Sequence, residues 1–152
     1  MTIQDALEGV SRLFLDTSPF IYFVENSVDY FPIVEIVFKQ IDQGILQSVT
    51  SPITLAESLI IPYRNNNLGL QKEFNEFIVY SENTIFAGID AHVARSASDI
   101  RARYNLKLPD AFQVAIALEN DCDALLTNDT TFKRVTELNV LLIDDFVGTH
   151  AS

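Results

Sequence analysis

Basic residues are scarce in this chain: ten Lys plus Arg stand against twenty-one Asp plus Glu, a formal charge of −11. That balance opposes nonspecific attraction to nucleic acid or to anionic membranes, so any nucleic-acid role has to be local and metal-assisted. Cysteine is nearly absent. Cys122 alone excludes an internal disulfide framework, fits a reducing cytosol, and reads as a small apolar packing residue. No apolar run approaches the roughly 18 residues of a membrane span, and no basic segment followed by an apolar stretch opens the chain. The expectation is a soluble, cytoplasmic protein with no membrane association. Repeats, low-complexity tracts and dividing linkers are also missing; the loosest stretch, Arg64 to Gly69 with three consecutive asparagines, reads as one surface loop. The 152 residues therefore read as a single domain, 1–152, able to bury roughly 70% of its unfolded surface without staples.

What is present is an alternation. Short β-rich runs near Leu13–Leu15, Ile45–Val49, Thr84–Ile89, Ala124–Thr127 and Val140–Ile143 are separated by helical patterns, which predicts an α/β domain with a mostly parallel sheet of about five strands. Ile33, Ile36, Val37 and Ile41 share one helix face, and Ala111, Val114, Ala115 and Leu118 share another. Ser51 before Pro52 has the pattern of a helix cap and first turn, Asp90 can cap a helix running to about Tyr104, Pro109 suits a first turn, and Gly44 stops the helix before the second strand.

Four acids stand at the edges of apolar stretches: Asp16, Glu57, Asp110 and Asp129. In a parallel sheet the strand carboxyl ends and helix amino ends share one edge, where open α/β sheets bind ligands. Asp16 and Asp129 close predicted strands, and Glu57 and Asp110 fall in the first two turns of predicted helices. All four thus map to that edge. Each also has a plainer reading: Asp16 and Asp129 as turn-forming residues, Asp110 as an acid favoured by the helix dipole. Glu57 is harder to explain so, because its segment is otherwise largely apolar. Asp90 meets the same edge argument and reads as a helix cap. Gathered together, the four would repel one another, and a divalent cation relieves that repulsion. Oxygen ligands without Cys or His suit Mg²⁺ or Mn²⁺, the ions of metal-dependent phosphodiester hydrolysis.

The residues that carry this chemistry, Phe14-Leu15-Asp16-Thr17-Ser18-Pro19, Thr54-Leu55-Ala56-Glu57, Leu108-Pro109-Asp110-Ala111 and Leu126-Thr127-Asn128-Asp129 with Phe132, resemble in order and spacing the PIN-domain nucleases, especially the VapC toxins. The resemblance runs from about residue 12 to residue 147. It implies a three-layer α/β/α fold, a Mg²⁺- or Mn²⁺-dependent endoribonuclease, frequent homodimers and a VapB-like antitoxin partner. It makes Asp16, Glu57, Asp110 and Asp129 the catalytic and metal-binding acids. Thr17 and Thr127 become their supports, Thr127 beside water at the metal, while Ser18 is a further support. Pro62 departs from the pattern and should kink or shorten its helix; Asn128 stands where some relatives carry a base.

Arg95, Arg101, Arg103 and Lys107 approach Asp110 through the preceding helix and loop. They read either as a solvated face or, for Arg101, Arg103 and Lys107, as RNA phosphate contacts. His92 reads as a surface histidine and His150 as part of a frayed tail. Phe74, Phe77, Ile78 and Tyr80 read as a buried helix face or, with the helix after Glu57, as a dimer and antitoxin surface. Two other functions stay open beside the ribonuclease: a catalytically silent PIN-like module that binds protein or RNA, and a receiver-type phosphoacceptor, which lacks its expected acidic pair and downstream lysine.

Overall fold

The computed structural model of the protein describes residues 1–148, and His150 lies outside them. In chain order the elements are α1 (Ile3–Leu7), β1 (Arg12–Leu15), α2 (Thr17–Val24), α3 (Phe31–Asp42), β2 (Gln47–Thr50), α4 (Pro52–Arg64), α5 (Leu68–Tyr80), β3 (Thr84–Phe86), α6 (Ala91–Tyr104), α7 (Leu108–Glu119), β4 (Ala124–Thr127) and β5 (Asn139–Leu142), with 3-10 turns over Thr130–Arg134 and Ile143–Phe146. The strands form one five-stranded sheet in the order β3-β2-β1-β4-β5, and every pairing is parallel.

Side chains alternate across that sheet and divide the core in two. Leu13 and Leu15 of β1, Leu126 of β4 and Leu141 of β5 face a cluster completed by α1, α2, α3 and α5. Phe14, Leu125, Val140 and Leu142 point the other way, into a cluster completed by α6 and α7. Burial on both faces explains why β1 and β4 read as continuous apolar runs rather than as alternating ones. The architecture is the three-layer α/β/α arrangement expected from the sequence.

The helix starts follow their local chemistry. The Ser51 hydroxyl accepts hydrogen bonds from the amides of Ile53 (3.1 Å) and Thr54 (3.5 Å), and Asp90 Oδ1 accepts one from the Val93 amide at 2.9 Å. Several boundaries differ from the sequence expectation. The second strand begins at Gln47 because Gly44 adopts a left-handed φ of 73° and the amides of Ile45 and Leu46 both return to the Gln40 carbonyl. Ile45 is thereby held in a bend just beyond the end of α3, with its side chain exposed. The third strand ends at Phe86, after which Ala87 donates to the Thr50 carbonyl at 2.9 Å and the chain turns toward the Asp90 cap. The fifth runs over Asn139–Leu142, because Ile143 already belongs to the following 3-10 turn.

Pro62 does not break α4, which continues to Arg64. A proline so near the helix end forfeits few backbone bonds, and its own carbonyl accepts from the Asn67 amide at 2.9 Å. Phe74 and Ile78 are buried in the protein's own core, with Phe77 packed against it; only Tyr80 of that group is exposed. Cys122 is partly buried, and desolvation pushes its thiol up to about 12.

Candidate functional site

From β1 the chain builds outward to β2 and β3, then crosses to the other side of β1 to lay down β4 and β5. The direction reverses between β1 and β4, and the carboxyl ends of two such strands diverge into a crevice, the place where open α/β sheets take ligands. Asp16 is the residue after β1, and its amide donates to the Leu126 carbonyl of β4 at 3.1 Å. Asp129 follows β4 by two positions. Asp110 lies in the first turn of α7 and Glu57 in the second turn of α4.

Asp16 is the buried member, only 8% exposed. Its Oδ2 accepts from the Thr127 hydroxyl at 2.7 Å and its Oδ1 from Gln113 Nε2 at 3.2 Å. Burial raises its pKa above the usual carboxylate value, and the negative charge of Glu57 adds to the rise. The bonds from Thr127, the Thr17 amide and Gln113 oppose it. Asp110 is half-buried and is pushed up to about 6, by desolvation first and then by the charges of Asp16, Asp129 and Glu57, with Lys107 acting in the opposite sense. The charges of the other three acids therefore reach Asp110 at this edge of the sheet.

The remaining contacts order the rim. The Thr17 hydroxyl donates to Glu57 Oε1 at 2.7 Å, tying the start of α2 to α4. Thr127 Oγ1 accepts from the Asp129 amide at 3.1 Å, so one threonine serves both strand-end acids. Asp129 is exposed, and its Oδ1 also caps its own turn through the Thr131 amide (2.9 Å) and hydroxyl (2.8 Å). Ser18 Oγ and Ser58 Oγ, each one residue beyond a rim residue, are buried side-chain oxygens without a hydrogen-bond partner. Asn128 faces away from the crevice: its Nδ2 donates to the Tyr22 hydroxyl at 3.0 Å and its Oδ1 accepts from the Asp144 amide at 2.9 Å.

The basic residues separate. Lys107, the residue before α7, is exposed and near enough to Asp110 to stabilise its charged form. Arg101 donates to the Leu106 carbonyl and thereby closes the α6–α7 turn. Arg103 is held by Asp99 at 3.0 Å and by Glu137, with Tyr104 sharing the Glu137 carboxylate. Arg95 is exposed, and His92 pairs with Glu119 across α6 and α7 at 3.0 Å.

Sequence reasoning missed the polar floor beneath Asp16. Gln113 is fully buried; its Nε2 donates to Thr54 Oγ1 at 2.7 Å as well as to Asp16, and its Oε1 accepts from the Ser51 hydroxyl. The signal was present in the chain, because Gln113 interrupts the otherwise apolar Ala111–Ala117 segment three residues after Asp110.

The donors that line the crevice are oxygens. Hard cations such as Mg²⁺ and Mn²⁺ prefer that set, and Asp16, Glu57, Asp110 and Asp129 are the residues that could hold one. Among the described residues, no three acidic, histidine or cysteine side chains are drawn together into a ready-made cage. A hollow of about 310 Å³ lies at the β5 edge beside Lys133 and Asp145, and none of the four acids lines it.

The fold and this crevice define a PIN domain. The PIN-domain family profile matches residues 13–138, and the chain belongs to that family. No curated protein sequence matches it significantly. Among solved structures, VapC20 of Mycobacterium tuberculosis, a toxin that cleaves the sarcin-ricin loop, superposes with a TM-score of 0.66 at 14% identity over 80% of this chain and 92% of that one. VapBC2 from Rickettsia felis, bound to a DNA fragment from its promoter, gives 0.65 at 16% identity over 86% of this chain and 98% of the other. A toxin-antitoxin complex from Klebsiella pneumoniae gives 0.64 at 21% identity, over 88% and 98%.

Proposed function

We propose that this protein is a Mg²⁺- or Mn²⁺-dependent endoribonuclease and the toxin of a toxin–antitoxin pair. The observation that carries the reading is the position of Asp16, Glu57, Asp110 and Asp129 at strand ends and helix starts along one edge of the sheet, within the span that the PIN-domain profile matches. A divalent cation bound there would supply charge neutralisation for a scissile phosphate and an activated water. The chain's own residues would do the rest. Asp16, hydrogen-bonded through both oxygens, would offer its remaining lone pairs to the ion, and Thr17 orients Glu57. Thr127 holds Asp16 and the Asp129 backbone in register, and Lys107 is the cation available for a phosphate beside Asp110. Incubating wild type and Asp16→Asn with a mixed RNA panel, with Mn²⁺ or with chelator, tests the proposal. Metal-dependent cleavage by wild type alone is expected. No cleavage by either would leave the silent-module reading, which the self-capped geometry of Asp129 favours.

The partner reading rests on α4. Its exposed face carries Ile60, Ile61 and Tyr63, and a pocket of about 160 Å³ beside it has Ile61, Leu70 and Phe74 in its walls and Glu25 and Glu57 among its acids. An antitoxin segment pairing apolar side chains with Arg or Lys suits that combination, and the cation would reach toward the carboxylates. A homodimer would draw on the same apolar surface. Sedimentation of the isolated protein and a pull-down with the product of the adjacent gene test both assignments. A stable monomer that is equally active with that product would remove them and leave the nuclease reading standing.

A further inference from the structure

Beneath the crevice a short chain of buried polar side chains crosses three elements of the fold. Ser51, Thr54 and Gln113 are each 0% exposed. They lie at the start of α4 and within α7, and they end on Asp16 after β1. Buried polar groups cost stability unless each finds its partner, and these four find theirs in one another.

The direction of every bond follows from the first. The Ser51 oxygen already accepts from the amides of Ile53 and Thr54, which leaves its proton to give away, and the Gln113 carbonyl oxygen is the acceptor within reach. The Gln113 amide nitrogen must then face the other way, where its two protons go to Asp16 Oδ1 at 3.2 Å and Thr54 Oγ1 at 2.7 Å. The opposite orientation would set a carbonyl oxygen against the Asp16 carboxylate and an N–H group against the Ser51 hydroxyl proton. The cap of α4 thus dictates which end of Gln113 meets Asp16.

We propose that Gln113 is a positioning residue: it joins the cap of α4, the first turns of α7 and the carboxylate after β1, and so fixes the relative placement of Glu57, Asp110 and Asp16. The inference rests on the nuclease reading of the same crevice. Gln113 lies three residues beyond Asp110, on the same side of α7, so a displacement of that helix moves both. Ser51 begins the helix that carries Glu57. Asp16 is held from two sides, by Gln113 and by Thr127, and loss of either bond frees the carboxylate to rotate.

The test uses Gln113→Met, which keeps an unbranched side chain of similar size and removes all three hydrogen bonds. Ser51→Ala leaves Gln113 in place but abolishes what orients it. Ile78→Val, a cut in the core on the far side of the sheet, serves as the control for lost stability. Each variant is measured for Mn²⁺ affinity by titration calorimetry, for kcat and KM on RNA, and for hydrogen exchange of the Ile53 and Thr54 amides without metal. Loss of an interaction that orients a metal ligand lowers affinity about 10- to 100-fold. A fall in that range is expected for Gln113→Met, with reduced kcat, unchanged KM and faster exchange at Ile53 and Thr54. Ser51→Ala should lose less, and the double variant should be no worse than Gln113→Met alone, as for residues acting in one network. Ile78→Val should melt earlier and bind Mn²⁺ as wild type does. A folded Gln113→Met with wild-type affinity and kcat overturns the inference; if that variant does not fold, wild-type affinity in Ser51→Ala overturns it. A wild type that neither binds Mn²⁺ nor cleaves RNA overturns the nuclease reading first and this one with it, and the wild-type arm alone reveals that outcome.

Discussion

α4 and α7 begin alike and end up as opposites. Each has a proline in its first turn, starts at the same edge of the sheet and carries one acid of the crevice near its start. α7 buries Ala111, Val114, Ala115, Ile116 and Ala117, a run of small and branched apolar residues that lets it lie close against the sheet. α4 buries Thr54, Ser58 and Pro62 and turns Ile60, Ile61 and Tyr63 outward. The chemistry of the two acids follows from that packing. Asp110 shares the desolvation of its helix and is pushed up to about 6, whereas Glu57 is exposed and takes its order from Thr17. One helix is an interior element with a perturbed acid; the other is an outer wall that packs Leu55 and Leu59 on the core and leaves Ile60, Ile61 and Tyr63 exposed.

The largest effect expected is on activity. Asp16→Asn, Glu57→Gln and Asp110→Asn should each reduce RNA cleavage to background with an unchanged circular dichroism spectrum; full activity in Asp110→Asn would sink the site assignment. The helices should separate next in stability. Ile116→Ala, cutting a fully buried side chain of α7, should cost about 2–5 kcal/mol by denaturant unfolding. Ile61→Ala on α4 should stay within about 0.5 kcal/mol while weakening capture of the product of the adjacent gene. Equal losses at the two positions would erase the distinction.

A finer contrast is in pH. A carboxyl whose pKa is raised on folding binds its proton more tightly in the native state, so its contribution to stability is present below 3.8 and is lost as pH rises through about 6. Metal-free wild type should therefore lose stability across that window, and Asp110→Asn should lose less, measured as melting temperature against pH. Mn²⁺ should reverse the order above pH 6, since an ion at about 100 times its dissociation constant stabilises by roughly 2.7 kcal/mol. Identical metal responses in wild type and variant would mean that Asp110 is no part of an ion site. The smallest effect belongs to Asp99→Asn. It removes one exposed partner of Arg103 while Glu137 remains, and should change melting by no more than the few tenths of a kcal/mol typical of surface pairs.

The sequence made the buried centre of the sheet plain and its periphery less so. β1 and β4 are read closely because burial on both faces demands an unbroken apolar run, and the four acids are legible because strand ends and helix starts must share an edge. The apolar pattern places the start of β2 at Ile45, but a left-handed Gly44 bends the chain there and leaves Ile45 exposed. Pro62 was expected to kink or shorten α4, but proximity to the helix end makes it tolerable. α1, only five residues long and fixed by a capping box between Thr2 and Asp5, left no periodicity to read. Gln113 stands out as the one polar residue in the apolar Ala111–Ala117 segment, which signals burial but names no partner. Its burial depends on Ser51 and Asp16, which are distant in sequence and adjacent only once the fold has closed.

The parallel pairing of β1 with β4 also sets the order in which the protein can come into being. Asp16 and Thr127 are separated by 111 positions, and the bond between them exists only when both strands are in place. A growing polypeptide that has emerged through α5 already holds Asp16 and Glu57 but has no β4 to form the other wall of the crevice. Contacts so distant in the chain are slow to form and close late. The acids of this protein therefore converge only near the end of synthesis and folding, and a truncated product ending before Ala124 carries three of them without the strand that brings Asp16 to Thr127.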